Sequence, residues 1–162
     1  MIRADCGMRL HQLKRTQRLP ITIEEGWKFF SDPGNLAGIT PPNLGFHVIS
    51  DFPEEIHSGM IVSYTLRPLF GIRLTWVTEI SSVEKPISFV DEQRFGPYRF
   101  WHHLHQFESV PGGVEIRDTV SYVLPFQWIG SWFHGAFVRR NLENIFDYRC
   151  KVLNTRFGRL AS

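Results

Sequence analysis

The chain has 162 residues, of which 43% are hydrophobic and 21% charged, with a formal net charge of +2. That length suits one domain with its own core, and that balance excludes disordered and fibrous classes. No apolar run approaches the ~20 residues of a membrane-spanning helix, and the opening MIRADCGMRLHQLKRTQRLP lacks the apolar centre of a secretory signal.

Two cysteines, Cys6 and Cys150, are too few and too far apart for a disulfide framework or a zinc module, so a cytoplasmic location is expected. Residues 1–7 read as a tail and residues 8–160 as the domain, with Met8 an alternative start. Residues 8–18 alternate imperfectly, like an edge strand that Pro20 ends. A capping box follows, with Thr22 as N-cap and Glu25 three positions on, and Ile23, Trp27 and Phe30 form one apolar stripe. Gly26 inside that helix suggests a close approach to the sheet. Asp32-Pro33 opens a second short helix that runs through Asn35, Leu36 and Ile39 to Pro41-Pro42.

The middle reads as strands. Phe46–Ile49 is short, Met60–Leu66 alternates, and Ile72–Val83 places Ile72, Leu74, Trp76 and Ile80 on one face. Residues 87–94, 98–109 and 114–124 complete the series, separated by Pro68…Gly71, Lys85-Pro86, Gly96-Pro97 and Pro111-Gly112-Gly113. Short connections favour an antiparallel meander. From about Ser131 to Phe157 the period becomes 3.6, with Leu142, Ile145, Phe146, Val152 and Leu153 along one stripe. The expected architecture is therefore α+β: a curved seven-stranded antiparallel sheet wrapped around a long C-terminal helix, with two short helices after the first strand and a cavity between sheet and helix.

Chemistry concentrates in YRFWHHLHQFE at 98–108. Period 2 places Trp101, His103, His105 and Phe107 on the inner face. The same test turns Asp118, Val120 and Tyr122 inward, together with Phe89, Asp91 and Gln93, and with Trp76 and Thr78. Arg149 falls in the middle of the long helix's apolar stripe, where a guanidinium needs a carboxylate, Asp91 or Asp118. Three readings suit this constellation. One is a self-satisfied hydrogen-bond network. The second is a ligand pocket with an aromatic wall. The third is chemistry: a His103–His105–carboxylate metal site, or His103 as general base oriented by Asp118. The ligand pocket is favoured over catalysis, and no cofactor is implied.

The remaining features are weaker. Neither cysteine has an evident base, and Gly112-Gly113 belongs to a hairpin rather than a phosphate loop. Nucleic acid is not an expected partner, because most aromatics fall on inward positions. Phe126, Trp128, Trp132, Phe133 and Phe137 form a cavity lip, a membrane-touching edge or core packing. The basic strip Arg139, Arg140, Arg149, Lys151, Arg156 and Arg159 reads as a solvated helix face.

The segments LPITIEEGWKFFSDPGNLAGITPP (19–42), FVDEQRFGPYRFWHHLHQF (89–107), DTVSYVLP (118–125) and IFDYR (145–149) resemble bacterial SRPBCC ligand-binding proteins of the START-like, helix-grip superfamily. The resemblance runs from Met8 to about Phe157. Its motif positions here are Gln93, Trp101, His103, His105, Phe107, Asp118, Tyr122 and Arg149. It implies a strand–helix–helix–six-strand–helix order and a hydrophobic ligand of lipid or polyketide type. Relatives are described as polyketide cyclase/dehydrase, lipid-transport or cell-division-inhibitor-like proteins, and an epimerase-like partner is a further implication. The superfamily spans carriers, cyclases and hydrolases, so fold alone does not choose among them. Trp76, Trp101, Phe107 and Tyr122 are expected to wall the ligand, and His103, His105, Gln93, Asp91, Asp118 and Arg149 to orient its polar head.

Overall fold

The computed structural model describes residues 9–53, 55–69, 71–125 and 134–160. The expectations placed on Cys6, Met8, Phe126, Trp128, Trp132 and Phe133 lie outside them. Within this range Thr22 caps helix α1 (Ile23–Phe30) as its sequence signature predicts. Its hydroxyl accepts from the Glu25 N–H at 3.2 Å, and the Glu25 carboxylate accepts from the Thr22 N–H at 2.8 Å. That fixes the angle at which Trp27, Phe29 and Phe30 enter the core.

Seven antiparallel strands follow the expected succession: β1 (His11–Leu19), β2 (His47–Val48), β3 (Met60–Leu69), β4 (Ile72–Glu84), β5 (Ser88–Phe95), β6 (Phe100–Val110) and β7 (Gly113–Val123). Their spatial order is β1-β7-β6-β5-β4-β3-β2, so the first strand pairs with the last and the remainder form a meander. Helix α2 (Arg140–Phe157) lays Leu142, Phe146 and Leu153 on the concave face.

Two elements differ from expectation. The second short helix is a run of single 3-10 turns, Pro33–Asn35, Ala37–Ile39 and Pro42–Leu44. Gly34, Gly38 and the Pro41-Pro42 pair prevent α-helical propagation, while the Asp32 carboxylate still caps the first turn through the Gly34 N–H. The C-terminal helix becomes regular only at Arg140, after a π-helical turn over His134–Arg139.

The sheet bends where β4 and β5 lose register, between Val77 and Thr78 and again between Ile80 and Ser82. At the second shift Asp91 faces Ile80 and Val90 faces Ser82, leaving Ser81 as an extra residue. The parity of the strand therefore flips, and Val83 rather than Ser82 packs into the core beside Phe89. In the β6–β7 hairpin Gly112 takes φ 82°, and a Cβ on Gly113 would lie 2.0 Å from the Leu19 carbonyl oxygen. The end of β1 can close on the hairpin only because that position is glycine.

Buried side chains form two clusters. One centres on Trp27, Phe89, Phe107 and Leu153, the other on Leu13, Val120, Tyr122, Leu142 and Phe146. Between them the sheet and α2 stand apart.

Candidate functional site

Strand β6 runs between β5 and β7, and its inner face carries two histidines one alternation apart. The register sets a carboxylate beside each: Asp91 faces His103 across β5–β6, and Asp118 faces His105 across β6–β7. Each histidine also reaches the other carboxylate diagonally, because diagonal neighbours on one sheet face lie within reach of long side chains. The result is a closed square of Asp91, His103, Asp118 and His105.

Its contacts are short. His103 Nε2 donates to Asp118 Oδ1 at 2.9 Å, and His105 Nε2 donates to Asp91 Oδ2 at 2.8 Å. His103 Nδ1 lies 3.2 Å from Asp91 Oδ2 and His105 Nδ1 lies 2.9 Å from Asp118 Oδ1. The last pair is close but misdirected, so the buried Nδ1 of His105 has no hydrogen bond. The imidazole centroids lie 3.7 Å apart with the rings tilted by 38°, and Phe89 stacks on His105 at 4.1 Å. Trp101 Nε1 adds a further donor to Asp91 at 3.2 Å.

Burial alone would push both carboxyls up. Hydrogen bonds and charge from the imidazoles outweigh it, holding Asp91 and Asp118 well below the usual carboxylate range. For His103, 5% exposed, burial would lower the pKa, but Asp91 and Asp118 raise it to about 9. Burial likewise raises the phenols of Tyr64 and Tyr98.

Above the square, a partly open cavity of about 160 Å³ lies between sheet and α2. Trp76, Asp91, Trp101, His103, His105 and Arg149 line it. The other expected site residues stand elsewhere. Gln93 clamps the β5–β6 turn, donating to the Tyr98 carbonyl at 2.6 Å and accepting from the Tyr98 N–H at 3.2 Å. Phe107 packs on Trp27 and behind Phe89, which lines the cavity, and Tyr122 lies in the second core cluster. Asp118 is one step behind the wall, under the histidines.

The wall also includes residues outside the expected set. Tyr64, whose hydroxyl shares a 2.9 Å hydrogen bond with Thr78, follows the alternation of Met60, Val62 and Leu66 and was readable from it. Tyr98 comes from an irregular turn and Ile39 and Leu44 from the 3-10 segment, where no periodicity marks an inward side.

Arg149 enters from α2, with its side chain only 11% exposed. Its Nη1 is 4.0 Å from Asp118 Oδ1, its guanidinium stands 4.9 Å over the Phe146 ring, and its Nε finds no acceptor. Trp76 Nε1 is likewise buried without one.

Asp91, His103 and His105 can each offer one metal-ligating atom within 4.8 Å of the others. Such a set needs neutral imidazole. Here three of the four ring nitrogens, His103 Nδ1 and Nε2 and His105 Nε2, engage carboxylate oxygens within 3.2 Å, so an ion ligated through any of them would have to displace a proton from the square, and only His105 Nδ1 stands without a hydrogen bond. The same engagement works against His103 as a general base, since both of its nitrogens are occupied.

No protein-family model matches this chain, and no curated protein does. Solved structures do. A protein from Chromobacterium violaceum aligns with TM-score 0.70 at 12% identity, covering 91% of this chain and 96% of its own. The major latex-like protein 151 of Panax ginseng aligns with TM-score 0.67 at 10% identity, covering 91% and 97%. Ara h 8.0201 aligns with TM-score 0.61 at 13% identity, covering 91% and 99%. At these identities the likeness is one of fold: the chain has the helix-grip fold that its motifs imply.

Proposed function

We propose that the protein binds one small hydrophobic or aromatic molecule in the cavity between the sheet and α2. The observation that carries this reading is a 160 Å³ space walled mainly by aromatic and aliphatic side chains, among which Trp76, His105 and Arg149 each keep a buried nitrogen without a hydrogen-bond partner. Core packing alone would close such a space, since protein interiors tolerate few voids. Unsatisfied buried donors cost about 1–3 kcal/mol each unless something meets them.

The volume sets the size of the guest. A dry cavity of about 150 Å³ is known to take benzene, whereas sites for drug-sized molecules run from about 300 Å³ upward. As it stands the cavity suits one ring with a short substituent, and a lipid- or polyketide-sized guest would need the wall to open. Burying about 200 Å² of ring gains about 5 kcal/mol gross, so dissociation constants of about 0.2 mM and weaker are the range to search.

The test is amide and indole NMR during titration with toluene and with indole. Saturable shifts should localise to Trp76, Trp101, Leu142 and Phe146. Leu142→Trp, which fills the space, should abolish them. An absence of saturable shifts with either probe up to its solubility limit would sink the proposal.

A further inference from the structure

Arg149 is a largely buried cation whose one carboxylate neighbour among the described residues is already engaged. Asp118 Oδ1 receives His103 at 2.9 Å and has His105 Nδ1 at the same distance, while the guanidinium approaches no nearer than 4.0 Å. Asp91, the other carboxylate of the square, is held by both histidines and the Trp101 indole. The negative charge of the square is thus directed at its own imidazoles. The guanidinium keeps only the Phe146 face, 4.9 Å away, and its Nε–H has no acceptor.

A charge this deeply placed requires a counter-charge with good geometry. Trp76 contributes a second unused N–H, sealed behind the wall as the Arg149 Nε is, and both side chains border the same 160 Å³ space. A planar carboxylate meets these demands together. It matches the guanidinium fork and keeps lone pairs for an indole N–H. A neutral carbonyl would satisfy one donor but offer the guanidinium no bidentate, charge-assisted partner.

Resting on the binding function proposed above, we infer that the preferred guest is a compact aromatic monocarboxylate, its head group received by Arg149 and Trp76 and its ring by the apolar wall. The square of Asp91, His103, Asp118 and His105 then acts as the rigid floor that keeps Asp118 from neutralising Arg149 itself.

The experiment compares matched probes on the intact protein: benzoate against benzamide, and phenylacetate against phenylacetamide, with toluene as the uncharged reference, by NMR titration. The acids are expected to bind at least tenfold more tightly than their amides. Arg149→Met should abolish that preference while leaving toluene affinity within about twofold, and Arg149→Lys should restore part of it. Trp76→Phe should weaken acid and amide alike, severalfold, and spare toluene. Amides binding as tightly as acids to the wild-type protein would overturn the inference without needing any variant to fold. So would an acid preference that survives Arg149→Met. Failure of toluene itself would instead strike the binding function on which the inference rests.

Discussion

Raising the pH should destabilise this protein by discharging His103. Its imidazolium is held at about 9 by Asp91 and Asp118 against the opposing effect of burial, whereas in the unfolded chain it titrates near 6.5. A group whose pKa is higher in the folded state stabilises fully below the unfolded value and loses that contribution as pH climbs through the folded one. The difference corresponds to about 3 kcal/mol, at about 1.4 kcal/mol per pH unit. With a urea m-value of about 2 kcal/mol/M the unfolding midpoint should fall by about 1.5 M between pH 6.5 and 9.5. Asp91 and Asp118 act oppositely. Held below their usual range, they contribute above about pH 4 and are lost as pH falls through their lower folded values. Stability should therefore plateau between about pH 4 and 6.5. The assay is urea unfolding followed by tryptophan fluorescence, on wild type and His103→Gln. The variant will be less stable throughout, but its alkaline slope should be nearly flat. An unchanged slope in His103→Gln would refute the electrostatic account.

Three packing predictions are independent of that site. Leu153, 1% exposed, anchors α2 in the first core cluster, and Leu153→Ala should cost about 3 kcal/mol in urea unfolding; a loss below 1 kcal/mol would mean that the helix is not docked as described. Gly26→Ala should raise stability by about 0.5–1 kcal/mol, because a Cβ there meets Val114 Cγ1 at 3.4 Å, an ordinary contact, and the helix gains propensity. The approach of α1 to the sheet is thus close, but not so close as to demand glycine. Gly113→Ala should destabilise severely through its clash with the Leu19 carbonyl, while Gly38→Ala, with nothing within 4 Å, should stay within about 0.5 kcal/mol of wild type. Equal thermal shifts for these two variants would contradict the β1–hairpin contact.

The sequence shows the face of a residue more readily than its depth. Alternation in 98–109 placed His103 and His105 inward, and the inner parities of β5 and β7 placed Asp91 and Asp118 beside them, because side chains alternate strictly along a regular strand. Alternation does not say how far along the strand the cavity extends. Phe107 shares its face with His105 yet belongs to the packed end, and Tyr122 faces the second cluster. Gln93 is inward by parity but is captured by the backbone of a turn whose geometry no pattern displays. The bulge at Ser81 and the 3-10 turns between α1 and β2 stayed hidden for a related reason: each replaces a period with local hydrogen bonding.

The pairing of β1 with β7 also bears on how the chain assembles. During synthesis β1 emerges first, yet His11 must wait for Tyr122 and Leu19 for Val114, whereas β3 to β7 zip up between sequence neighbours. Non-local closure of this kind slows folding, because the entropy of closing the loop is lost before the contacts form. The arrival of α2 supports the same edge: Gln17 of β1 donates to the Cys150 carbonyl at 3.1 Å and to Asn154 Oδ1 at 2.9 Å. Clasping of the sheet's margin and roofing of the cavity are therefore coupled late events. Until they occur, β7 presents an open strand edge to other nascent chains. Once β1 is in place the margin carries Lys14, Arg15 and Arg18, charges that discourage further strands from adding to it.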